Sequence, residues 1–181
     1  MIQLSRGDKV RLLKEILCTE GINFEGKTFY RQAVRAIIIR GRKLLMIYSH
    51  KNGDYKFPGG GIELGETHEE TLLREVKEES GATVTKILKG FGKVLEYDKP
   101  SEHEFEVFKM MSYYYECRID NLLDEQYLDE YEKELGFKPV WIDIDHAITS
   151  NKSIINGKQK EIPRWVLRET YVLEVIKEGG I

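Results

Sequence analysis

The feature that most constrains this chain is a cluster of carboxylates that follows a glycine-rich turn. Residues 57–82 read FPGGGIELGETHEETLLREVKEESGA, and Glu75, Glu78 and Glu79 are crowded together within them. Like charges three or four residues apart on a helix repel each other by roughly 0.2–0.5 kcal/mol per pair. A folded protein that keeps such a cluster needs something to offset this repulsion, and a bound cation would do so.

The same stretch predicts a helix that begins near Thr67 and ends at Gly81. Thr67 and Glu70 have the spacing of a capping box, in which each side chain accepts a hydrogen bond from the other residue's backbone amide. Gly81 suits the left-handed backbone conformation that commonly ends a helix. The acidic cluster is therefore expected on a helix with defined ends.

Helical geometry places the carboxylates beside the apolar face of this helix, where their desolvation costs most. A helix turns about 100° per residue, which separates the side chains into two adjoining arcs. Carboxylate oxygens in this number suit Mg²⁺ or Mn²⁺, and glycine backbone can approach an ion closely. The apolar arc holds Leu72, Leu73 and Val76, and the acidic arc holds Glu75, Glu78 and Glu79.

Length and composition indicate one domain of a water-soluble protein. The chain has 181 residues, of which 41% are hydrophobic and 33% charged. A net charge of −3 argues against a protein that holds nucleic acid through phosphate charge alone, so an anionic substrate would need a mediating cation. Cys18 and Cys117 lie far apart, which predicts two free thiols in a reducing cytoplasm.

The N-terminal residues predict neither a signal peptide nor a membrane span. They read MIQLSRGDKVRLLKEILCTEG, and charges interrupt every apolar run. The rest of the chain also lacks a long apolar stretch. We therefore expect a cytoplasmic protein without a membrane partner.

The coarse order of elements predicts a mixed β-sheet packed between helices. The C-terminal helix has apolar residues at roughly helical spacing, which are predicted core: Ile162, Trp165, Val166, Val172, Leu173 and Ile176. The predicted elements are a short helix over 9–17, strands over 33–39 and 44–48, a helix over 67–81, a strand–turn–strand over 83–97, a strand over 104–119, an acidic segment over 120–137, a strand over 139–144, a brief helix over 146–150 capped by Asp145, and a helix from Pro163 to Gly179.

Residues 60–82 also resemble the Nudix box, a pattern written G-x5-E-x7-R-E-U-x-E-E-x-G-U with U an apolar residue. The flanking FPGG over 57–60 matches as well. Every fixed position of the pattern is present, namely Gly60, Glu66, Arg74, Glu75, Val76, Glu78, Glu79, Gly81 and Ala82.

The resemblance implies an α/β (α+β) fold of the Nudix type, an α/β/α sandwich with a mixed sheet between helices. It also implies Mg²⁺-dependent hydrolysis, with Mn²⁺ as a possible substitute, of a nucleoside diphosphate linked to a further moiety X. On this basis residues 30–181 are expected to form the Nudix domain, and residues 1–29 an extension packed on its core.

The resemblance further implies roles for individual residues. The metal ligands would be the side chains of Glu75, Glu78 and Glu79 together with the Gly59 carbonyl. Arg74 would orient a catalytic glutamate, and the roles of Gly60, Glu66 and Gly81 would be structural. The residues with implied catalytic roles are Arg74, Glu75, Glu78 and, outside the box, Glu134.

The identity of the general base stays open at the level of sequence. It lies either inside the box, at Glu78 or Glu75, or in the acidic segment that precedes Trp141. The candidates in that segment are Glu134, which is favoured, Glu132 and Glu130.

Contacts to substrate are the least constrained part of the prediction. Arg35 and Lys56 are candidate phosphate contacts, although each also fits a solvated surface charge. Tyr55 and Phe57 are candidate stacking partners for a base, although each also fits the core. The histidines show no metal-binding spacing.

Several substrates fit the pattern. The predicted partner is a nucleotide-type small molecule, such as a nucleoside triphosphate or an oxidised dNTP, and a homodimer is possible. The alternatives are hydrolysis of ADP-ribose or a dinucleoside polyphosphate, and a non-catalytic Nudix-fold nucleotide-binding module. Removal of pyrophosphate from RNA 5′ ends also fits, but the net charge of −3 weighs against a long nucleic acid.

Overall fold

The computed structural model describes residues 10–157 and 162–179. Within these residues the chain forms seven strands and four helices. They are β1 (Leu12–Leu17), β2 (Thr28–Arg40), β3 (Lys43–Ser49), β4 (Tyr55–Lys56), α1 (His68–Ser80), β5 (Ala82–Asp98), β6 (Val107–Leu123), α2 (Glu130–Leu135), β7 (Phe137–Asp143), α3 (Ile144–Ile155) and α4 (Trp165–Gly179).

The strands form one mixed sheet in the order β1-β5-β6-β2-β3-β4, and β7 pairs with β3. Strands β1 and β5 are parallel, as are β2 and β6, while β5 and β6 are antiparallel. Strand β2 begins before the predicted domain boundary at residue 30, and β1 belongs to the same sheet.

Helices cover both faces of the sheet. On one face α1 packs Leu72 and Val76 against Val34 and Ile38 of β2. On the other face α3 and α4 contribute a second buried cluster, which includes Leu173. This arrangement confirms the predicted α/β/α sandwich. Among the described residues, no helix is both long enough and apolar enough to cross a bilayer.

The prediction of a helix over 9–17 is wrong for the residues of this range that the structure describes. Leu12–Leu17 is strand β1, paired in parallel with Lys93–Tyr97 of β5, whereas Lys9 lies outside the described residues. Pairing with the edge of a sheet satisfies the backbone of this segment, and Leu13 and Ile16 pack against the core. Long-range pairing therefore overrides a local pattern that a short helix would also fit.

The predicted turn within 83–97 is also absent, because β5 runs without a break from Ala82 to Asp98. Gly90 and Gly92 mark a register shift against β6 instead. A Cβ atom on Gly92 would lie 2.3 Å from Cγ of Leu13. The glycine therefore allows β1 to approach the sheet, which a larger residue would prevent.

The helix predicted over 67–81 is confirmed in its ends. Thr67 and Glu70 form the capping box, and Gly81 adopts φ 70°. By contrast, α3 begins earlier than predicted, at Ile144, and its cap is Asp143 rather than Asp145.

The C-terminal helix begins at Trp165, after Pro163. Four of its predicted core residues are buried, while Ile162 and Trp165 are half-buried. The buried four are Val166, Val172, Leu173 and Ile176.

Helix α3 completes the sheet edge through one buried amide. The Asn151 side chain accepts a hydrogen bond from the Tyr55 amide at 2.8 Å and donates one to the Tyr55 carbonyl at 3.0 Å. These two bonds imitate a neighbouring strand at β4, which has only two residues. Asn151 is fully buried, so water cannot replace its amide.

We expect Asn151→Ala to lower the free energy of unfolding by about 1–3 kcal/mol, because it leaves two buried backbone groups unpaired. Urea denaturation of the metal-free protein measures the change. Asn156→Ala is the matched control, since Asn156 is exposed at the end of the same helix. Equal losses in the two variants would contradict this role for Asn151.

Candidate active site

Arg74 organises the carboxylates of α1. Its Nε and Nη2 atoms donate to Glu66 at 2.7 and 2.8 Å. Its Nη1 atom donates to Glu75 at 2.8 Å and to Glu78 at 3.1 Å. The Arg74 hydrogen bonds are the main reason why the pKa of Glu66 falls to about 2. One guanidinium thus holds three carboxylates and offsets part of their mutual repulsion.

Glu79 faces a different set of partners. It is 1% exposed and forms an ion pair with Lys56 of β4. Its other carboxylate oxygen accepts from the Gly59 amide at 2.9 Å. The Gln126 side chain donates to the backbone carbonyl of Glu79 at 2.6 Å. These bonds fix the end of α1 against the glycine-rich loop.

The glycine-rich loop needs glycine at two positions. Gly59 has φ 138°, and a Cβ atom there would lie 2.2 Å from the Val34 carbonyl oxygen. A Cβ atom on Gly60 would lie 2.1 Å from the Glu75 carboxylate. The Gly59 carbonyl accepts a hydrogen bond from Arg35. The loop therefore lies against both β2 and the carboxylate cluster.

The donor chemistry fits a hard divalent cation. The oxygens come from Glu75, Glu78, Glu79 and Gly59, and such ligands suit Mg²⁺. Burial and the charge of Glu79 raise the pKa of Glu75, a repulsion that a cation would relieve. In the described part of the chain no three acidic, histidine or cysteine side chains converge as a ready metal site. Protein cations hold these oxygens here.

Of the three base candidates outside the box, Glu132 lies nearest to the charge of Glu79. Glu132 is half-buried on α2, and its carboxylate accepts a hydrogen bond from the Asp129 amide at 3.0 Å. Burial and the negative charge of Glu79 raise its pKa to about 7. Glu130 and Glu134 are exposed. Because residues two apart on a helix point about 200° apart, Glu134 faces away when Glu132 faces the site.

The candidate phosphate contacts lie at the site, but the candidate stacking residues do not. Arg35 and Lys56 are largely buried and line a cavity of about 540 Å³. Tyr55 is 8% exposed, and Phe57 is fully buried and packs edge-on against Tyr114. The prediction that Tyr55 and Phe57 stack on a base is therefore wrong, because both rings belong to the core.

Other aromatic and cationic side chains line this cavity. It lies on the face of the sheet that also packs α4, next to the residues that bind Glu79 and Gly59. The aromatic residues that line it are Phe29, Phe108, Tyr131 and Trp165, and the basic residues, besides Arg35 and Lys56, are Arg31, Lys51, Arg164 and Arg168.

Sequence reasoning missed a buried ion network beneath the cavity. Arg168 donates to Glu169 at 2.7 Å and forms an ion pair with Glu96 of β5. Glu169 also accepts from the Phe57 amide at 3.2 Å and lies 3.9 Å from Arg35. A signal was available, because helical spacing puts residues 168 and 169 on the apolar face of α4. A charged pair on such a face indicates a buried network.

Comparison with known proteins agrees with this geometry. A family model described as the NUDIX domain matches residues 29–166, more than half of the chain. Among solved structures, a NUDIX hydrolase from Nitrosomonas europaea is similar, with a TM-score of 0.57 and 17% identity over 84% of this chain and 90% of that one. At this identity the likeness supports the fold alone.

Curated relatives match a shorter part of the chain. A protein named RNA pyrophosphohydrolase from Helicobacter pylori is 45% identical over 31% of this chain and 37% of its own length. An ADP-ribose pyrophosphatase from Methanocaldococcus jannaschii is 46% identical over 27% and 31%. A putative 8-oxo-dGTP diphosphatase from Bacillus subtilis is 50% identical over 30% and 35%.

The chain spans about a third of the length of these three relatives. Their names differ in substrate, so the matches identify a family and no single substrate. The match of the family model over most of the chain, on a sandwich that carries the complete box, shows that this protein belongs to the Nudix family.

Proposed function

We propose that this protein is a divalent-metal-dependent hydrolase of a diphosphate bond in a nucleotide-type substrate. The observation that carries the proposal is that Glu75, Glu78 and Glu79 lie on one helix beside a glycine-rich loop, held by Arg74, Lys56 and the Gly59 amide. Lys56 also lines a cavity rich in aromatic and basic side chains. A binding module without turnover would not need this complete set of carboxylates. The proposed metal is Mg²⁺, with Mn²⁺ as a substitute.

Each residue at the site has a task that its contacts support. Arg74 keeps Glu75 and Glu78 turned toward the loop. Arg35 and Lys56 line the cavity and contact Gly59 and Glu79, so they bring positive charge between the cavity and the carboxylates, where the phosphates would lie. A divalent cation bound by the carboxylates would neutralise charge on the diphosphate as the bond breaks. Glu66 keeps Arg74 in place, which is a structural task.

We propose Glu132, rather than Glu134, as the residue that accepts the proton of the attacking water. Glu132 is half-buried and close enough to Glu79 for that charge to raise its pKa, while Glu134 is exposed. A base should have a pKa near the working pH, and burial beside Glu79 moves the pKa of Glu132 in that direction.

The cavity suits a nucleotide. Phe29, Phe108 and Trp165 offer apolar and aromatic surface to a base or sugar. Arg31 and Arg164 add positive charge for phosphates. The proposed substrate is a nucleoside diphosphate linked to X. The nucleoside triphosphate, oxidised dNTP, ADP-ribose and RNA 5′-end alternatives differ only in X or in the base.

The test is turnover of a substrate panel with Mg²⁺, with Mn²⁺ and without metal. The panel contains nucleoside triphosphates, 8-oxo-dGTP, ADP-ribose, dinucleoside polyphosphates and a 5′-triphosphorylated RNA octamer, with mass spectrometry of the products. We expect metal-dependent cleavage of a diphosphate bond in at least one class. A folded protein that binds Mg²⁺ but cleaves none of them would favour the binding-module alternative.

Single substitutions should distinguish the glutamates that turnover requires from those that it does not. We expect Glu78→Gln and Glu79→Gln each to lower turnover at least about 100-fold, because even residues behind metal ligands cost about 10–100-fold. Steady-state kinetics over a Mg²⁺ titration measures the loss. Glu63→Gln is the control, since Glu63 is an exposed glutamate of the same loop. Near-normal activity of Glu79→Gln would remove Glu79 from the metal set.

Glu132 should leave a signature in the pH dependence of stability. Its pKa rises on folding from an ordinary 4.5 to about 7, so folding binds a proton between these values. Its contribution to stability is therefore present at low pH and is lost as pH rises through about 7. We therefore expect the melting temperature of Glu132→Gln minus that of the unsubstituted protein, both measured in EDTA, to increase as the pH rises from 5 to 8.

The control for this measurement is Glu134→Gln, the exposed neighbour on the same helix. The glutamine at 132 can still accept the capping bond from the Asp129 amide, so the helix start is preserved. A constant difference in melting temperature across the pH range would show that Glu132 is not held beside the charge of Glu79.

A further inference from the structure

A second surface of the sheet carries interleaved tyrosines and lysines. It lies on the face that packs α1, beside that helix rather than beneath it. We call it the tyrosine–lysine surface, and its members are Tyr30 of β2, Lys93 and Tyr97 of β5, and Lys109 and Tyr113 of β6.

Strand register places these side chains next to each other. Lys109 pairs with both Tyr30 and Tyr97, and Tyr113 pairs with Lys93. Because directly paired residues share a face of the sheet, the five side chains project from one side. The Lys109 Nζ atom lies 5.9 Å from the ring centre of Tyr30 and 5.6 Å from that of Tyr97. Lys93 Nζ lies 5.9 Å from the Tyr113 ring.

The surface is open and locally positive. Tyr30 is 47% exposed, and the other four side chains are half-buried. Within residues 10–157 and 162–179, neither Lys93 nor Lys109 forms an ion pair with a carboxylate. Two unpaired ammonium groups beside three aromatic rings are the combination that holds single-stranded nucleic acid, through stacking on bases and attraction to phosphates.

The surface borders the candidate active site. The Gln32 carbonyl, two residues after Tyr30, accepts from the Ile62 amide at 2.9 Å, and Ala33 bridges to Gly61. Two residues along a strand span about 7 Å, so Tyr30 lies close to the loop that precedes α1. At the start of α1, the His68 ring lies 4.4 Å from that of Tyr113.

We propose that the tyrosine–lysine surface binds the single-stranded part of an oligonucleotide substrate that follows its 5′-terminal nucleotide. The terminal nucleotide itself would lie in the cavity, with its phosphates near Glu75, Glu78 and Glu79. This rests on the proposed function, and it makes a 5′-phosphorylated oligonucleotide the substrate class. The net charge of −3 weighed against such a partner, but attraction depends on the local charge at the surface. The Glu15 carboxylate, opposite Leu95 on β1, limits the positive area on one side.

Binding of an oligonucleotide without terminal phosphates tests the surface independently of turnover. The probes are fluorescein-labelled RNA and DNA octamers with 5′-hydroxyl ends, followed by fluorescence anisotropy over a salt series. We expect Lys93→Ala/Lys109→Ala to weaken binding and to reduce the slope of log K against log salt by about 1.4, since each phosphate contact contributes about 0.7. Tyr30→Leu should weaken binding roughly 5–150-fold through lost stacking.

Matched variants control for net charge. Lys86→Ala/Lys138→Ala removes two exposed lysines elsewhere on the sheet and should leave the slope nearly unchanged. Glu15→Gln should strengthen binding, because it removes a negative charge from the rim. Binding of RNA, of DNA or of both supports the surface. Equal loss in both double-lysine variants, or no binding of either octamer, would overturn it.

Turnover separates this proposal from the proposed function. We expect Lys93→Ala/Lys109→Ala to keep the activity on mononucleotide substrates and to lower kcat/KM for a 5′-triphosphorylated octamer. If the double-lysine variant keeps full activity on both substrates, the proposed role of the tyrosine–lysine surface is wrong, while the proposed hydrolase function stands. If octamer binding depends on Lys93 and Lys109 but no substrate is turned over, the surface binds oligonucleotide and the proposed hydrolase function is wrong.

Discussion

The grip of Arg74 on three glutamates is the interaction on which the rest of the site depends. Without it, Glu66, Glu75 and Glu78 would repel one another at the boundary of the core. Lys56 serves Glu79 in the same way, on the other side of the loop. These protein cations allow the carboxylates to stay together in a folded chain.

The surrounding strands and helices hold the glycine-rich loop in place next to the carboxylates. Strand β2 supplies Arg35 to the Gly59 carbonyl, and β4 supplies Lys56 to Glu79. Beneath them Glu169 ties the Phe57 amide to Arg168 of α4. The loop is therefore held from both faces of the sheet, by Glu169 on the face with the cavity and by Glu79 of α1 on the other.

The features that depend on residues close in the chain could be predicted from the sequence, whereas those that depend on long-range contacts could not. The α1 helix with its caps follows from near neighbours, and so does the acidic cluster. The pairing of β1 with β5 does not, because the edge that satisfies Leu12–Leu17 lies about eighty residues away in the chain. Tyr55 and Phe57 likewise read as loop aromatics until α3 and α4 bury them. Glu132 and Glu134 could be separated only once the orientation of α2 was known.

We infer that Glu75, Glu78 and Glu79 bind a divalent cation in place of part of their contacts with protein cations. A crystal structure of the protein with Mn²⁺, with an anomalous difference map that locates the ion, tests this inference most directly. We expect an anomalous peak about 2.1 Å from oxygens of these glutamates, with Lys56 moved away from Glu79. A fully occupied Mn²⁺ peak elsewhere, with the Arg74 and Lys56 contacts unchanged, would contradict it.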